Sequence, residues 1–448
     1  MALLDQIFDA GVVGCGGAGF PTHAKLRGEI HHYIINGAEC EPLLETDRYL
    51  MRHKANEIVA AAAAVAREVG AGACTIALKS HYTPEIAALE AAIAAQGAPV
   101  TLHRMENVYP AGDEQVMVEA VTGRVVPPGG IPLDVGAAVN NVATMVAVHD
   151  AMAGVPLAWK YLTVTGEVAS PAILHLPVGT TIGECLDLVG GVTTENPVVV
   201  LGGPMMGAAV PLRDIAHEVV TKTTSGLVVL PGDSYLAGVG NISLQHMVNR
   251  ARSACIQCSY CTQMCPRYLL GHPLEPHKIM RKLSSKEEIT ALLDDQDIRQ
   301  AAICCECGIC ELYACPMELQ PRRVNIILKD ALRQAGISYQ KGPTDLTPRA
   351  DWAYRKIPAG RAAGRVGVAS YGGPLLDRLV EHTPKELRLP LRQHIGAPAQ
   401  PVVAVGQRVQ AGELIARCPG QGLGANLHTG VAGVVRAVQD AIIIETGV

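Results

Sequence analysis

A chain of 448 residues, 49% of them apolar, is too long for one ordinary domain and has material for three or four cores. Its net charge of −5 argues against a nucleic-acid surface, and no uninterrupted apolar run reaches the length of about 18 residues that a membrane span needs. Nine of its 14 cysteines fall between 255 and 315, which argues against a secreted disulfide framework and for a reducing cytoplasm. The opening residues, MALLDQIFDAGVVG, lack the basic stretch and long apolar core of a secretory signal.

Residues 14–22 form a glycine-rich loop, GCGGAGFPT. Glycines let backbone N–H groups approach a phosphate, and a following helix would favour its charge. The string contains G-x-G-x-x-G, but FDAGVVG before it is a poor strand and Pro21 interrupts the start of a helix. The Rossmann fingerprint is therefore not met, and on these residues alone a plain turn is as good a reading. Between 30 and 122 strand and helix alternate. IHHYIING reads as a strand, residues 47–69 as an alanine-rich helix, ACTIALK as a strand, PEIAALEAAIAAQG as a helix ending on Gly97, and APVTLH as a strand. That order predicts a parallel sheet with helices on both faces, closed by a helix from about 140 to 153. In 159–215, WKYLTVTGEV, HLPVGTT and PVVVLGGPMMG read as strands and ECLDLVGG as a short helix, a small mixed β domain. SLQHMVNRAR, SSKEEITALLDD and PRRVNIILKDALRQAG read as helical flanks of the cysteine region. Residues 338–365 read as a linker. From about 389, short strands with regular turns suggest a small β-sandwich.

Two cysteine runs carry the clearest chemistry: Cys255-x2-Cys258-x2-Cys261-x3-Cys265-Pro266 and Cys304-x2-Cys307-x2-Cys310-x4-Cys315-Pro316. The x2 spacings point three sulfurs at one cubane cluster, and the fourth cysteine before proline reaches the other cluster in two-cluster ferredoxins. The expected ligand sets are Cys255, Cys258, Cys261 with Cys315, and Cys304, Cys307, Cys310 with Cys265. Two such runs in series favour two [4Fe–4S] clusters over zinc. Cys305 breaks the x2 spacing and is read as a bystander. The x4 before Cys315 departs from the usual x3.

The glycine-rich segment Gly14–Lys25 resembles the GxGGAGFPTxxK segment of the flavin-binding subunit of respiratory complex I and of the RnfC-like family. Three further stretches resemble the same families in the same order: Asn36-Gly37-Ala38-Glu39-Cys40-Glu41-Pro42, Tyr109-Pro110-Ala111-Gly112-Asp113-Glu114, and Asn140-Asn141-Val142-Ala143-Thr144. The resemblance implies FMN and NADH in one pocket. Gly14, Gly16, Gly17 and Gly19 would line the flavin phosphate, Lys25 would supply charge, and Asn36, Asn140 and Asn141 hydrogen bonds. Tyr109 and Thr144 belong to the same pocket, and Phe20, Glu39 and Glu41 to its nicotinamide side. Ala38 stands where complex I has an acidic residue, which separates NADH contacts from the family pattern. Residues 160–215, ending in Gly202-Gly203-Pro204-Met205-Met206-Gly207, look like a soluble-ligand-binding β-grasp (SLBB-type) module. The last segment resembles a biotinyl/lipoyl-type barrel-sandwich hybrid, but no lysine follows Lys385, so no covalent swinging arm is expected.

The fold expected is thus a multidomain α/β chain. It comprises a complex-I-flavoprotein-like FMN/NADH domain (1–155), a β-grasp domain (156–216), a helical two-cluster ferredoxin domain (240–337), the linker (338–365) and a barrel-sandwich hybrid (366–448). RnfC carries the barrel-sandwich segment ahead of the flavin region; here it comes last. That order resembles the corrinoid reductases of propanediol-utilisation microcompartments. The resemblance implies NADH-dependent reduction of cob(III)alamin towards cob(I)alamin, FMN and two [4Fe–4S] clusters as cofactors, and NADH and cobalamin as substrates. It also implies a cytoplasmic location inside a bacterial microcompartment, with a corrinoid adenosyltransferase and shell proteins as partners; homo-oligomerisation stays open. The rival readings are an electron-transfer subunit of an RnfC-type membrane complex and a scaffold with structural clusters. No Asp-x-His-x-x-Gly stretch marks a histidine-on cobalamin site.

Overall fold

Strands β1 (His32–Asn36), β2 (Ala73–Lys79), β3 (Thr101–Met105) and β5 (Ala137–Asn141) form a parallel sheet in the order β3-β2-β1-β5. The short β4 (Val108–Tyr109) lies outside it. The structure, a computed structural model, describes residues 2–240, 242–283, 289–420 and 423–447. β1 and β2 are apolar almost throughout and buried on both faces, as parallel strands under helices must be. The alanine-rich stretch divides at Lys54, which leaves helical geometry at φ −127°, into helices Thr46–His53 and Ala55–Glu68. The break lets the first helix reach the next domain's strand Trp159–Gly166 while the second packs on helix Val142–Met152. Small side chains on Ala55–Glu68 suit both close packing and helix propensity. Gly97 closes helix Thr83–Gln96 in the left-handed conformation at φ 56°.

The second unit is a mixed sheet of β6 (Trp159–Gly166), β7 (Ala172–Pro177), β8 (Val198–Leu201), β9 (Ala208–Pro211) and β10 (Gly226–Leu230). A capping box between Thr181 and Glu184 starts its helix, Ile182–Leu188. The sheet draws on strands from outside residues 156–216: β10 lies between β6 and β8, and a far strand, Leu379–Glu381, adds to β7 in parallel.

Helices Leu244–Ala254, Pro276–Lys282 and Pro321–Gln334 surround the cysteine loops. Of SSKEEITALLDD, residues 284–288 lie outside the described residues and Ile289–Leu292 is a 3₁₀ turn. Residues 338–365 are pinned along their length. Gly342 N–H donates to the Pro128 carbonyl and Arg349 N–H to that of Leu269, and Ile357–Pro358 pairs antiparallel with β4. The segment therefore spans from the first domain to the cysteine domain. The last unit has one sheet built on Glu386–Pro390, Arg408–Val409, Gly433–Val438 and Ala441–Thr446, and a second on Gln400–Pro401, Leu414–Arg417 and Leu427–His428. Leu387, Leu389, Ile415, Val435, Ile442 and Ile444 fill the space between them.

Candidate redox site

From β1 the chain winds one way through β2 and β3, while β5 lies on β1's other side, so the C-terminal ends of β1 and β5 flank a topological switch point. Such crevices are where open α/β sheets take ligands. Asn36 and Asn141 stand there in register. The Asn36 amide donates to the Gly112 carbonyl at 2.9 Å and its oxygen accepts from Ala38 N–H at 3.0 Å. Asn141 caps helix Val142–Met152 by accepting from Ala143 N–H at 2.8 Å, and donates to Asp47 at 2.6 Å.

The glycine-rich loop closes over Asn141. It follows helix Leu3–Asp9 rather than a strand, so it is not a Rossmann turn. Gly14 N–H donates to the Phe20 carbonyl and Thr22 N–H to that of Val12, which seals the loop on itself. Buried Cys15 is its anchor: its N–H donates to Thr144 Oγ1 at 3.0 Å and its carbonyl accepts from Lys160 Nζ at 2.8 Å. Gly16, Gly17 and Ala18 are exposed. A Cβ on Gly16 would lie 2.6 Å from the Asn141 amide carbon, whereas one on Gly17 would meet nothing within 4 Å. The open side of Gly17 is the face that an FMN phosphate can approach. Gly19, at φ 72°, has its α-carbon against Thr223 and His394 of the later domains.

Charge gathers at the same edge. Neither Glu39 nor Glu41 is exposed. Burial, then Asp47 and Glu41, hold the Glu39 carboxyl well above the usual carboxylate range, with Lys79 opposing. Burial pushes Asp47 up to about 6 against its Asn141 hydrogen bond. Glu41 is pushed up to about 7 by burial, although its Oε2 accepts from Met205 N–H at 2.7 Å; its Oε1 is buried with no partner. Lys79, at the end of β2 and 4% exposed, is the cation beside Glu39. An orphaned carboxylate oxygen, an open glycine face and a buried lysine together fit a polar heteroaromatic cofactor with a phosphate.

Not every expected residue converges there. Asn140 is one residue from Asn141 on a strand and so points to the opposite face, where it accepts from Tyr33 OH at 3.3 Å. Lys25 pairs with Glu114. Thr144 holds the loop, and Phe20 is half-buried. Tyr109 turns away from the switch point: its hydroxyl donates to the Cys307 carbonyl at 2.6 Å.

The cysteine loops share one backbone pattern. Gln257 and Ser259 in the first and Glu306 and Gly308 in the second all take left-handed φ, 54°, 58°, 61° and 81°. Each pair straddles the second cysteine of its run, and the double reversal swings three sulfurs to one side. Cys255, Cys258, Cys261 and Cys315 line one recess; burial and then the neighbouring thiols Cys315, Cys258 and Cys255 push Cys261 up to about 12. Cys310 is raised by burial and then by Cys304 and Cys265, and Cys307 by its hydrogen bond with Cys305, then by burial and by Cys305, Cys265 and Cys310. The crossed sets thus come together in space. The extra residue before Cys315 is absorbed by a π-helical turn, Ile309–Tyr313, closed by Ala314 N–H on the Ile309 carbonyl at 2.8 Å. The matching stretch of the first run is an α-turn, Tyr260–Gln263. All 14 cysteines are free thiols. Crowded thiols, buried in the second run and partly exposed in the first, repel as thiolates unless cations stand among them, so the donor set fits iron clusters. Among the described residues no three His, Cys, Asp or Glu side chains converge as a single metal ion requires; four sulfurs on a cubane each take a different iron. The Cys304 sulfur accepts from Glu306 N–H at 3.4 Å and from the Asn325 amide at 3.5 Å, and the Cys315 sulfur from Leu319 N–H at 3.3 Å; such bonds tune cluster potential. Cys305 lies beside Cys307 and Arg267.

Three contacts join the two sites. One is Tyr109 to Cys307. The second is a two-pronged pair, Arg267 to Asp113, at 2.7 and 2.9 Å, both partners largely buried. The third runs from Glu41 to Met205 N–H, with the Met205 carbonyl accepting from Arg322. Asp47, Lys79, Asp113, Arg267 and Asn325 were not singled out by sequence motifs. Asp113 sat inside a recognised stretch, and Lys79 is the one charge in ACTIALK; the others had no local signal.

Comparison with known proteins finds four family domains in the chain. A Nuo51 FMN-binding domain profile matches residues 7–150, an SLBB domain 161–209, a 4Fe-4S dicluster domain 254–320 and an RnfC barrel sandwich hybrid domain 379–447. The chain therefore has an FMN-binding domain and a two-cluster iron–sulfur domain. The cobalamin reductase PduS of Salmonella typhimurium is 39% identical over 98% of this chain and 95% of its own length. That of Citrobacter freundii is 38% identical over the same shares. A component of the Na(+)-translocating ferredoxin:NAD(+) oxidoreductase complex of Acetobacterium woodii is 34% identical, over 60% of this chain and 58% of its own.

Proposed function

The chain belongs to the cobalamin reductase family, and on that footing we propose that it is an NADH-dependent reductase carrying cob(III)alamin towards cob(I)alamin. Bound FMN would turn a two-electron hydride into single electrons, and the two [4Fe–4S] clusters would carry them one at a time. The protein's share of the work is positional. Asn36, Asn141 and the Gly16–Gly17 turn would hold the flavin at the strand ends, with Lys79 offsetting Glu39, Arg322 offsetting Glu41 and Lys160 offsetting Asp47. Cys255, Cys258, Cys261 and Cys315 hold one cluster, and Cys304, Cys307, Cys310 and Cys265 the other. No general base or nucleophile is needed. The observation that carries the reading is the bond from Tyr109, in a flavin-domain motif, to the backbone of Cys307: it ties the flavin domain directly to a cluster loop.

The rival reading as part of a membrane complex is weaker. The match to such a component stops at about three-fifths of the chain, whereas the match to the cobalamin reductases runs over 98% of it. By family, the product would pass to a corrinoid adenosyltransferase for a diol dehydratase in a microcompartment with shell proteins around it. Anaerobic assay of cob(III)alamin reduction by NADH tests the function. Co-purification with adenosyltransferase and shell proteins tests the partners; if neither is retained, the microcompartment setting falls.

A further inference from the structure

A cavity of about 500 Å³ opens where three parts of the chain meet. Its floor is apolar, made by Tyr109, Val116, Met264, Leu269 and Ile309. Ile309 precedes Cys310, and Met264 precedes Cys265, so the floor flanks two of the expected cluster ligands. Tyr109 adds a third link through its bond to Cys307. The more exposed lining is charged and aromatic, with Arg104, Arg355 and Lys356, the carboxylates Glu106 and Glu119, and Trp352. The segment that brings Trp352 and Arg355 there is the pinned stretch 338–365, which joins the first domain to the cysteine domain.

The mouth groups are not equally engaged. Lys356 pairs with Glu106 at 3.1 Å and Arg104 with Glu90 at 3.0 Å. The Trp352 indole N–H donates to Glu119 at 3.1 Å, which fixes the ring at the rim. Arg355 donates to the neutral Gln263 oxygen at 3.3 Å and lies 5.9 Å over the Tyr260 ring, and it pairs with no carboxylate among the described residues. Its guanidinium is available to an anion, and its planar donors match a phosphate.

We propose that this cavity receives the nucleotide arm of the corrinoid, with its phosphodiester on Arg355 and its benzimidazole against Trp352 above the apolar floor. The assignment rests on the reading of the chain as a cobalamin reductase. Cavities of this size hold drug-sized groups, which suits the arm and is too small for the substituted macrocycle. The ring system would sit at the mouth, beside the helix Tyr260–Gln263 that links the two cysteine sets. A phosphate-linked heteroaromatic base is also what NADH offers, so the test separates the two.

Equilibrium dialysis of the full-length holoprotein measures binding of cobalamin, of cobinamide, which lacks the nucleotide arm, and of NADH. The variants are Arg355→Gln and Ala120→Trp; the second fills the cavity from an exposed position on helix Glu114–Thr122, and flavin and cluster absorption report the fold of each. The wild type should bind cobalamin about tenfold more tightly than cobinamide, the size of one charge-assisted contact. Both variants should lower cobalamin affinity to that of cobinamide and leave cobinamide and NADH binding unchanged. Equal affinities in the wild type, an undiminished cobalamin advantage in both variants, or a fall in NADH affinity would each overturn the assignment. Equal affinities alongside normal corrinoid reduction would overturn the cavity alone; absence of any corrinoid reduction by the wild type would overturn the function it rests on.

Discussion

Glu41 shows how a single residue's setting changes its role. As a member of a family motif it reads as a nicotinamide contact; in the fold one oxygen is tied to Met205 and the other is buried without a partner. Its folded pKa of about 7 lies above its ordinary value of 4.5. Between those two values the folded state keeps a proton that the unfolded state releases, so stability falls as pH rises through this window. The thermal midpoint should therefore drop from pH 5 to pH 7, and Glu41→Gln should make that drop smaller. An unchanged slope in a scan of melting temperature against pH would remove Glu41 from the account. Gly17 gives the second residue-scale prediction. A Cβ there meets no protein atom within 4 Å, so Gly17→Leu should leave the melting temperature of flavin-free protein unchanged while extracted FMN falls several-fold. At this scale the motifs brought Asn36 and Asn141 to the strand ends, while Asn140, Lys25 and Tyr109, carried by the same motifs, are engaged elsewhere. The sequence was silent on Asp47 and Asn325, whose roles come from packing, and it could not tell that Asn140 faces the other side of its strand.

The cysteine loops were the most legible elements. Three sulfurs per run follow from spacing alone, and the structure supplies the left-handed residues that aim them. The x4 before Cys315 was the irregularity; a π-turn at Ile309–Tyr313 absorbs the extra residue inside the element, which spacing cannot reveal. Cys258→Ser should lose roughly half the cluster iron, since each set holds one of two clusters, and Cys305→Ser should keep it all. Iron and sulfide analysis of both variants decides this; full iron in the first, or half in the second, contradicts the ligand sets. The long alanine-rich stretch was legible as helix but not as two helices, because the break at Lys54 answers to the neighbouring domain rather than to any local breaker.

Across the whole molecule, domain order was readable from the sequence and domain docking was not. Residues 338–365 look like a linker by composition, yet they bind the first domain and the cysteine domain, with Trp352 and Ile357 finding partners in the first and Arg349 in the second. Lys222 is similar. It is fully buried in the β-grasp region and donates to the carbonyls of Gly11 and Asn426, joining three domains at one ammonium group. The Arg267–Asp113 pair does the same for the flavin and cluster domains. Removing one partner of such a buried pair costs about 3–5 kcal/mol, so Arg267→Ala should lower the melting temperature markedly and loosen the flavin and cluster domains together in limited proteolysis. Wild-type resistance would show that the pair does not hold them.

The central claim is that flavin pocket and cluster loops form one conduit ending on cobalamin. The most direct measurement is anaerobic turnover of purified, reconstituted protein with NADH and cob(III)alamin, followed by the cobalamin absorption spectrum, with a Cys307→Ser variant that retains FMN as the control. The account predicts loss of the cob(III)alamin spectrum with wild type and none with the variant. Intact FMN and both clusters without any cobalamin reduction, or equal rates in the variant, would contradict it.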